Sequence, residues 1–162
     1  MASSVTPATL TVKISESVIL NGSEQGNTNT LTISNVSKIS REIFNCDLTE
    51  NNVVWFTDFD DTIDNASLHN RFERSQTRYV RLTNLDDTNY VVLIIRNAAD
   101  DETALKLGPG ASFIVNGTES GVELINDSNG AAISSITLAD LSSINAVANT
   151  ANCDLEVFVA CD

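Results

Sequence analysis

The chain predicts an all-β fold, a jelly-roll-like antiparallel β-sandwich in a single domain, and three observations predict it. Short segments rich in β-branched and aromatic residues recur, each bounded by Gly, Pro, Asn or Asp, which is the pattern of strands and turns. Only 19% of the residues are charged, and the polar positions are filled instead by Asn, Thr and Ser. Their short side chains compete for backbone hydrogen bonds, so they suit turns and solvent-facing strand positions better than helix interiors. Finally, Val91 to Ile95 is apolar without interruption, as expected of a strand covered on both faces in a two-sheet sandwich. A closed barrel is the runner-up. At 162 residues and 42% hydrophobic content, the chain can build one real core and should not remain disordered.

The elements follow in order. Residues 1–8 are small and polar and read as a flexible N-terminal arm, with the sandwich domain at 9–162. Thr9 to Ser15 alternates strictly, with Leu10, Val12 and Ile14 on one face. Val18 to Leu20 and Leu31 to Ile33 flank a polar loop, Asn21 to Asn29. Strands at Glu42 to Cys46 and Val53 to Phe56 precede the least regular stretch, Thr57 to Thr77. Arg78 to Val115 then reads as one unbroken meander: Arg78 to Thr83, Tyr90 to Arg96, Ala104 to Leu107, the corner Gly108-Pro109-Gly110, and Ser112 to Val115. Val122 to Ile125 is a further strand, and Leu138 to Leu141 has the length of one helical turn. Ser143 to Ala148 and Asp154 to Ala160 are expected to pair across the turn at Asn149 to Asn152. In the last strand Leu155, Val157 and Val159 point one way, Glu156 and Phe158 the other. Trp55, Phe56, Tyr79, Phe113 and Phe158 are expected in the core rather than on a carbohydrate platform.

Composition excludes several classes of function. A net charge of −13 makes nucleic acid a poor partner, because phosphate binding is driven by Lys and Arg. The same charge keeps a strand-rich protein from aggregating. No apolar run approaches membrane-spanning length, and the start Met1-Ala-Ser-Ser4 lacks the basic and apolar regions of a signal peptide. Synthesis in a cytosol is therefore expected, and the Asn-x-Ser/Thr sequons at Asn21, Asn35, Asn65, Asn116 and Asn126 read as chance in an Asn/Ser/Thr-rich chain. Cys46, Cys153 and Cys161 are odd in number and lack metal-ligand spacing. They are expected to be free and buried, although one pair could join.

Motifs with chemical meaning are few. Val53 to Thr62 ends in Asp58-x-Asp60-x-Thr62, which looks like the first motif of haloacid-dehalogenase-type phosphatases. There the first Asp is the nucleophile, the second a general acid, and Mg²⁺ neutralises the phosphate. That family also needs a helix-rich α/β scaffold, a positioned Lys and a later acidic pair; the doublet Asp100-Asp101 falls in a turn. Hydrolase activity at Asp58, Asp60 and Asp61 is not expected. Asp58, Asp60, Thr62 and Asp64 also place oxygen ligands at alternate positions, as a hard cation requires. Ile63 and His69, however, stand where an EF-hand has Gly and its bidentate Glu, and a solvated acidic loop is the simpler reading. His69 has no nucleophile or carboxylate at a recognisable spacing and reads as a surface histidine. Catalytic residues, cofactor and metal are accordingly expected to be absent. Five of the nine basic residues, Arg71, Arg74, Arg78, Arg81 and Arg96, fall close together in sequence. They suggest a partner-docking face, with internal pairing to nearby carboxylates as the alternative.

In pattern the chain resembles small β-structured virion proteins of marine tailed bacteriophages. The residues that carry this are Thr9 to Ile14, Gly26 to Ile33, Arg78 to Leu85, the Pro-Gly corner before Ser112-Phe113-Ile114, and the ending Asp154 to Ala160. The resemblance implies a non-enzymatic structural component of the virion. On it rests the expectation of a capsid cement or decoration protein on the capsid surface that binds the major capsid protein and stabilises the shell. A symmetric homo-oligomer, a homotrimer by preference, would bury leftover strand edges between copies. The competing expectation is a tail or fibre component with a receptor- or carbohydrate-binding role; the remote one is a Mg-dependent phosphatase.

Overall fold

The computed structural model describes residues 5–57, 70–98, 101–117, 123–125 and 138–162. In chain order its strands are β1 (Ala8–Ser15), β2 (Ile19–Leu20), β3 (Ser23–Glu24), β4 (Thr28–Val36), β5 (Lys38–Cys46), β6 (Asn51–Thr57) and β7 (Arg71–Glu73). After a single 3-10 turn at Arg74–Gln76 come β8 (Thr77–Asn84), β9 (Val91–Asn97), β10 (Glu102–Leu107), β11 (Ser112–Asn116), β12 (Glu123–Ile125), β13 (Leu138–Ala148) and β14 (Cys153–Cys161). The fold is all β, as the composition predicts, and its body is a two-sheet sandwich.

One sheet runs β11-β8-β14-β5; the other runs β10-β9-β13-β6-β7, with β12 paired to the start of β13. Between them lies one apolar core, with Leu82, Leu93, Leu141, Ile144 and Leu155 wholly buried. Alternation explains who enters it. In β9, Val91, Leu93 and Ile95 face the core while Val92, Ile94 and Arg96 are half-buried on the other side. In β14, Leu155, Val157 and Val159 point inward and Phe158 outward, as expected.

Four sequence expectations are corrected. The segment from Arg78 to Val115 is not one meander: β8 and β11 pair with each other in the first sheet, while β9 and β10 pair in the second. The chain crosses the core twice, at 85–90 and at the Gly108–Gly110 corner. Asn84 holds this crossing together from a fully buried position. Its Nδ2 donates to the carbonyls of Asn89 (2.8 Å), Gly108 (3.1 Å) and Leu107 (3.3 Å), and its Oδ1 accepts from the Asp86 N–H at 3.0 Å. Likewise β13 and β14 do not pair across their turn but lie in opposite sheets, and Leu138 to Leu141 opens β13 rather than a helical turn. Nor is the sandwich purely antiparallel: β6 and β7 run parallel.

The first 36 residues supply something the alternation alone did not show. β1 and β4 pair along their whole length, and β2 and β3 continue the same ribbon to its tip. What reads as a polar loop is mostly hairpin. Its turn is Asn21-Gly22, with φ of 52° and 79°. Both values lie in the left-handed region that a type I′ turn needs, and Asn-Gly is the pair that tolerates it. Glu24 fastens the irregular step below the tip, its Oε1 accepting from the N–H groups of Gly26 (2.8 Å) and Val18 (3.3 Å). Of the expected N-terminal arm, residues 5–7 are irregular and exposed, Ala8 already belongs to β1, and 1–4 lie outside the described residues.

Candidate assembly surface

The ribbon lies on the outer face of the β11-β8-β14-β5 sheet only at its base. There Leu10, Val12 and Ile33 pack around Tyr79, Ala160, Val36, Phe158 and Ile114, a small second core. Tyr79 and Phe158 meet edge to face with centroids 6.0 Å apart. A backbone bond from Ser37 N–H to the Cys161 carbonyl (2.9 Å) ties the foot of the ribbon to the last strand. The seat is loose. Clefts of about 250 Å³, with Thr11 and Lys13 on its rim, and 220 Å³, beside Asn29 and Asn116, run between ribbon and sheet.

Beyond this seat the ribbon leaves the body. From Lys13 to Leu31 every residue is exposed except Gly26, which at the usual strand rise gives an arm roughly 25 Å long. Its apolar stripe does not stop where the body does. Ile14 follows Leu10 and Val12 on the same face, with Leu31 across from Val12, and the tip carries Val18, Ile19 and Leu20. These five are 37–71% exposed. Single exposed apolar residues are ordinary, but a contiguous series on one projecting element marks an interaction surface. Lys13, Glu16 and Glu24 are the only charged side chains from residue 8 to 31, so the arm is nearly neutral on a strongly acidic protein.

A second apolar strip lies beside the seat. The outward side chains of edge strand β5 include Ile39 and Ile43, 55% and 61% exposed. Arg41 stands between them and, with Arg81, clamps the buried Glu156: Arg41 Nε donates to it at 2.7 Å, and Arg81 forms the other ion pair.

The five arginines expected to form a docking face do not share one. Arg71 lies against Trp55, its guanidinium carbon 5.6 Å from the ring centroid. Arg74 pairs with Asp140 (3.0 Å) and Arg78 with Asp162 (2.6 Å). Arg81 holds Glu156 and lies over Phe158 on one side of the sandwich, while Arg96 bridges Glu50 and Glu102 on the other sheet. Internal pairing therefore accounts for four of them, and strand register, invisible in the sequence, selects the partners. Asp58, Asp60, Asp61, Thr62, Asp64, His69 and Asp100 lie outside the described residues. Asp101 is described; its backbone N–H donates to Asn97 Oδ1 at 2.9 Å, closing the β9–β10 turn.

All three cysteines are free and buried. Burial is the main cause that pushes the Cys46 thiol up, from 9.0 to about 11, with Cys153, Asp47 and Asp154 adding to it; Cys153 and Cys161 move in the same direction for the same first reason. Register decides which pair could ever join, since Cys46 and Cys153 are opposite one another on β5 and β14. Directly opposed residues have the Cα separation a disulfide can span. Cys161 faces Lys38 and Thr77 instead.

The fold and its arm define a class: an all-β sandwich bearing a projecting β-ribbon. No family model, no curated protein and no solved structure matches the chain.

Proposed function

We propose that this chain is a non-enzymatic assembly protein that cements or decorates a bacteriophage capsid, docking on the major capsid protein through its β-ribbon. The observation that carries this reading is the apolar stripe of the ribbon, which continues past its own body to an exposed Val18-Ile19-Leu20 tip. An arm that leaves its apolar face in water is stabilised when a neighbour covers it. A preformed hairpin loses less entropy on docking than a floppy segment would. The phage assignment itself rests on the ordered resemblance of the strand segments to small virion proteins. Charge fits the same picture: the nearly neutral arm meets the shell while the acidic body faces outward and keeps particles apart. Many copies on a lattice add weak contacts by multivalency. A homotrimer would place three ribbons around one shell junction, and the virion surface is then its location.

The test mixes purified protein with particles lacking it. Saturable binding at fixed lattice positions is expected, abolished by Val18→Asp, Ile19→Asp and Leu20→Asp together while circular dichroism and the thermal midpoint of the body stay unchanged. Binding that survives this triple change would remove the ribbon as the docking element. Binding to purified tails and not to shells would replace the cement reading with the tail reading.

A further inference from the structure

The outer face of the β10-β9-β13-β6-β7 sheet breaks the expectation that aromatics in strand patterns are core residues. Phe56 and Tyr79 are buried, and Phe113 and Phe158 pack against the cores, but Trp55 is 44% exposed in the middle of β6. It borders a cleft of about 280 Å³ lined by Asn52, Trp55, Asn70 and Arg71.

A backbone irregularity gathers these four. In a regular strand Asn52 and Trp55, three apart, would face opposite ways. Here Trp55 is opposite Ser143 and Asn52 opposite Asn145, with a register shift between Ile144 and Asn145. Val53 is the extra residue, taken into the core. Such a bulge re-aims side chains and recurs beside functional sites. Arg71 and Asn70 arrive from the parallel neighbour: Arg71 is opposite Trp55, and the Trp55 N–H donates to the Asn70 carbonyl at 2.9 Å.

The polar atoms at this cleft are incompletely used. Asn70 Nδ2 donates to the Asn52 carbonyl (2.9 Å) and to Asn52 Oδ1 (3.2 Å). Among the described residues this leaves the Asn52 amide donors and the Asn70 amide acceptor open. Arg71 Nε is buried with no hydrogen-bond partner. Across the strand from Asn52, Asn145 is only 8% exposed and its Oδ1 is also without a partner. A buried polar group without a partner destabilises the fold unless something else supplies one. A partly exposed indole with the Arg71 guanidinium over its ring, beside free donors and free acceptors, suits one ligand chemistry. A pyranose ring offers an apolar C–H face to stack, and hydroxyls that both donate and accept.

We propose that Trp55, Arg71, Asn52 and Asn70 form a binding subsite for a neutral pyranoside. Neutral sugars are favoured over uronic or sialic acids because the chain's charge of −13 repels anions. The subsite lies on the opposite sheet from the ribbon seat, so it stands independently of the capsid reading. On a particle surface it would hold the virion against neutral glycans while the ribbon holds the shell.

Trp55 is the only tryptophan in the chain, so its fluorescence reports this cleft alone. The experiment titrates the intact protein with the methyl pyranosides of glucose, galactose, mannose and N-acetylglucosamine, and with glucuronate as the acidic control. A saturable change in Trp55 emission is expected with at least one neutral sugar, at a dissociation constant on the order of 1 mM. Arg71→Ala and, separately, Asn52→Ala should each weaken it about tenfold with the thermal midpoint of Asn52→Ala unchanged. Three results would overturn the subsite: no saturable change with any neutral sugar up to about 100 times that concentration, saturation by glucuronate alone, or binding indifferent to both substitutions.

Discussion

The sandwich body and the β-ribbon are written in the same strand grammar yet meet opposite fates. In β9 and β14 every second side chain is sealed between two sheets, and Leu93 and Leu155 are wholly buried. In the ribbon Leu10 and Val12 find a seat, whereas Ile14, the next residue on the same face, is 46% exposed. Alternation makes a face apolar; only a second surface makes it buried. The body is thus stabilised by packing within one chain, and the ribbon's distal half by little beyond its own hydrogen bonds and its turn.

The largest expected break in this comparison comes from cavity formation. Leu82→Ala or Ile144→Ala, both at fully buried positions, should cost about 2–5 kcal/mol in urea unfolding. Ile19→Ala or Leu20→Ala in the arm should stay within about 0.5 kcal/mol. A comparable loss from an arm substitution would mean that the ribbon is packed against something within the same molecule.

Asn84 tests the seam between the sheets. Asn84→Ala leaves several backbone groups buried without their partner and should cost about 1–3 kcal/mol, read as a lower urea midpoint.

Titration probes the body at both ends of the pH range. The thiols of Cys46, Cys153 and Cys161 are raised in the folded body, so the native state holds protons there that the unfolded chain releases. For Cys46 that contribution is complete below pH 9 and is lost as pH rises toward about 11; Cys153 and Cys161 act in the same direction. Alkaline melts should show the midpoint falling over that window, and Cys46→Ala should flatten the fall. The carboxyls of Asp47 and Glu50 are held below the usual range, Asp47 first by the Thr49 hydroxyl and Glu50 first by Arg96. These are depressed groups, so their contribution is present above the ordinary carboxylate value of about 4 and fades as pH falls below it. Glu50→Gln should reduce that acid sensitivity.

The most local effect belongs to the tip. Gly22→Val forces a β-branched residue into φ of 79°, worth about 1–2 kcal/mol locally. Faster amide exchange is expected from Val18 to Gln25 while the protection of β8 and β14 stays as it was.

The sequence by itself determined the strand content, the inward set in β14, the acidic surface and the turn chemistry at Gly108–Gly110. These are local quantities: backbone preference and a period of two residues are set by near neighbours. The tertiary structure alone decided which strands pair, and everything functional depends on that choice. β8 and β9 have the apolar character of one meander, but alternation is equally satisfied in either sheet, so the crossing at Asn84 could not be read from it. The arginines were legible as a group but not as pairs, because Arg81 reaches Glu156, 75 positions away, only through β8–β14 register. Trp55 looked like core because a strand pattern does not announce a bulge; one extra residue at Val53 sets Asn52 beside Trp55 on the outer face. The ribbon's exposure was hidden for a related reason. Whether Ile14, Leu31 and the tip are covered depends on how far the sheet beneath β1 and β4 extends, which no residue in the ribbon encodes.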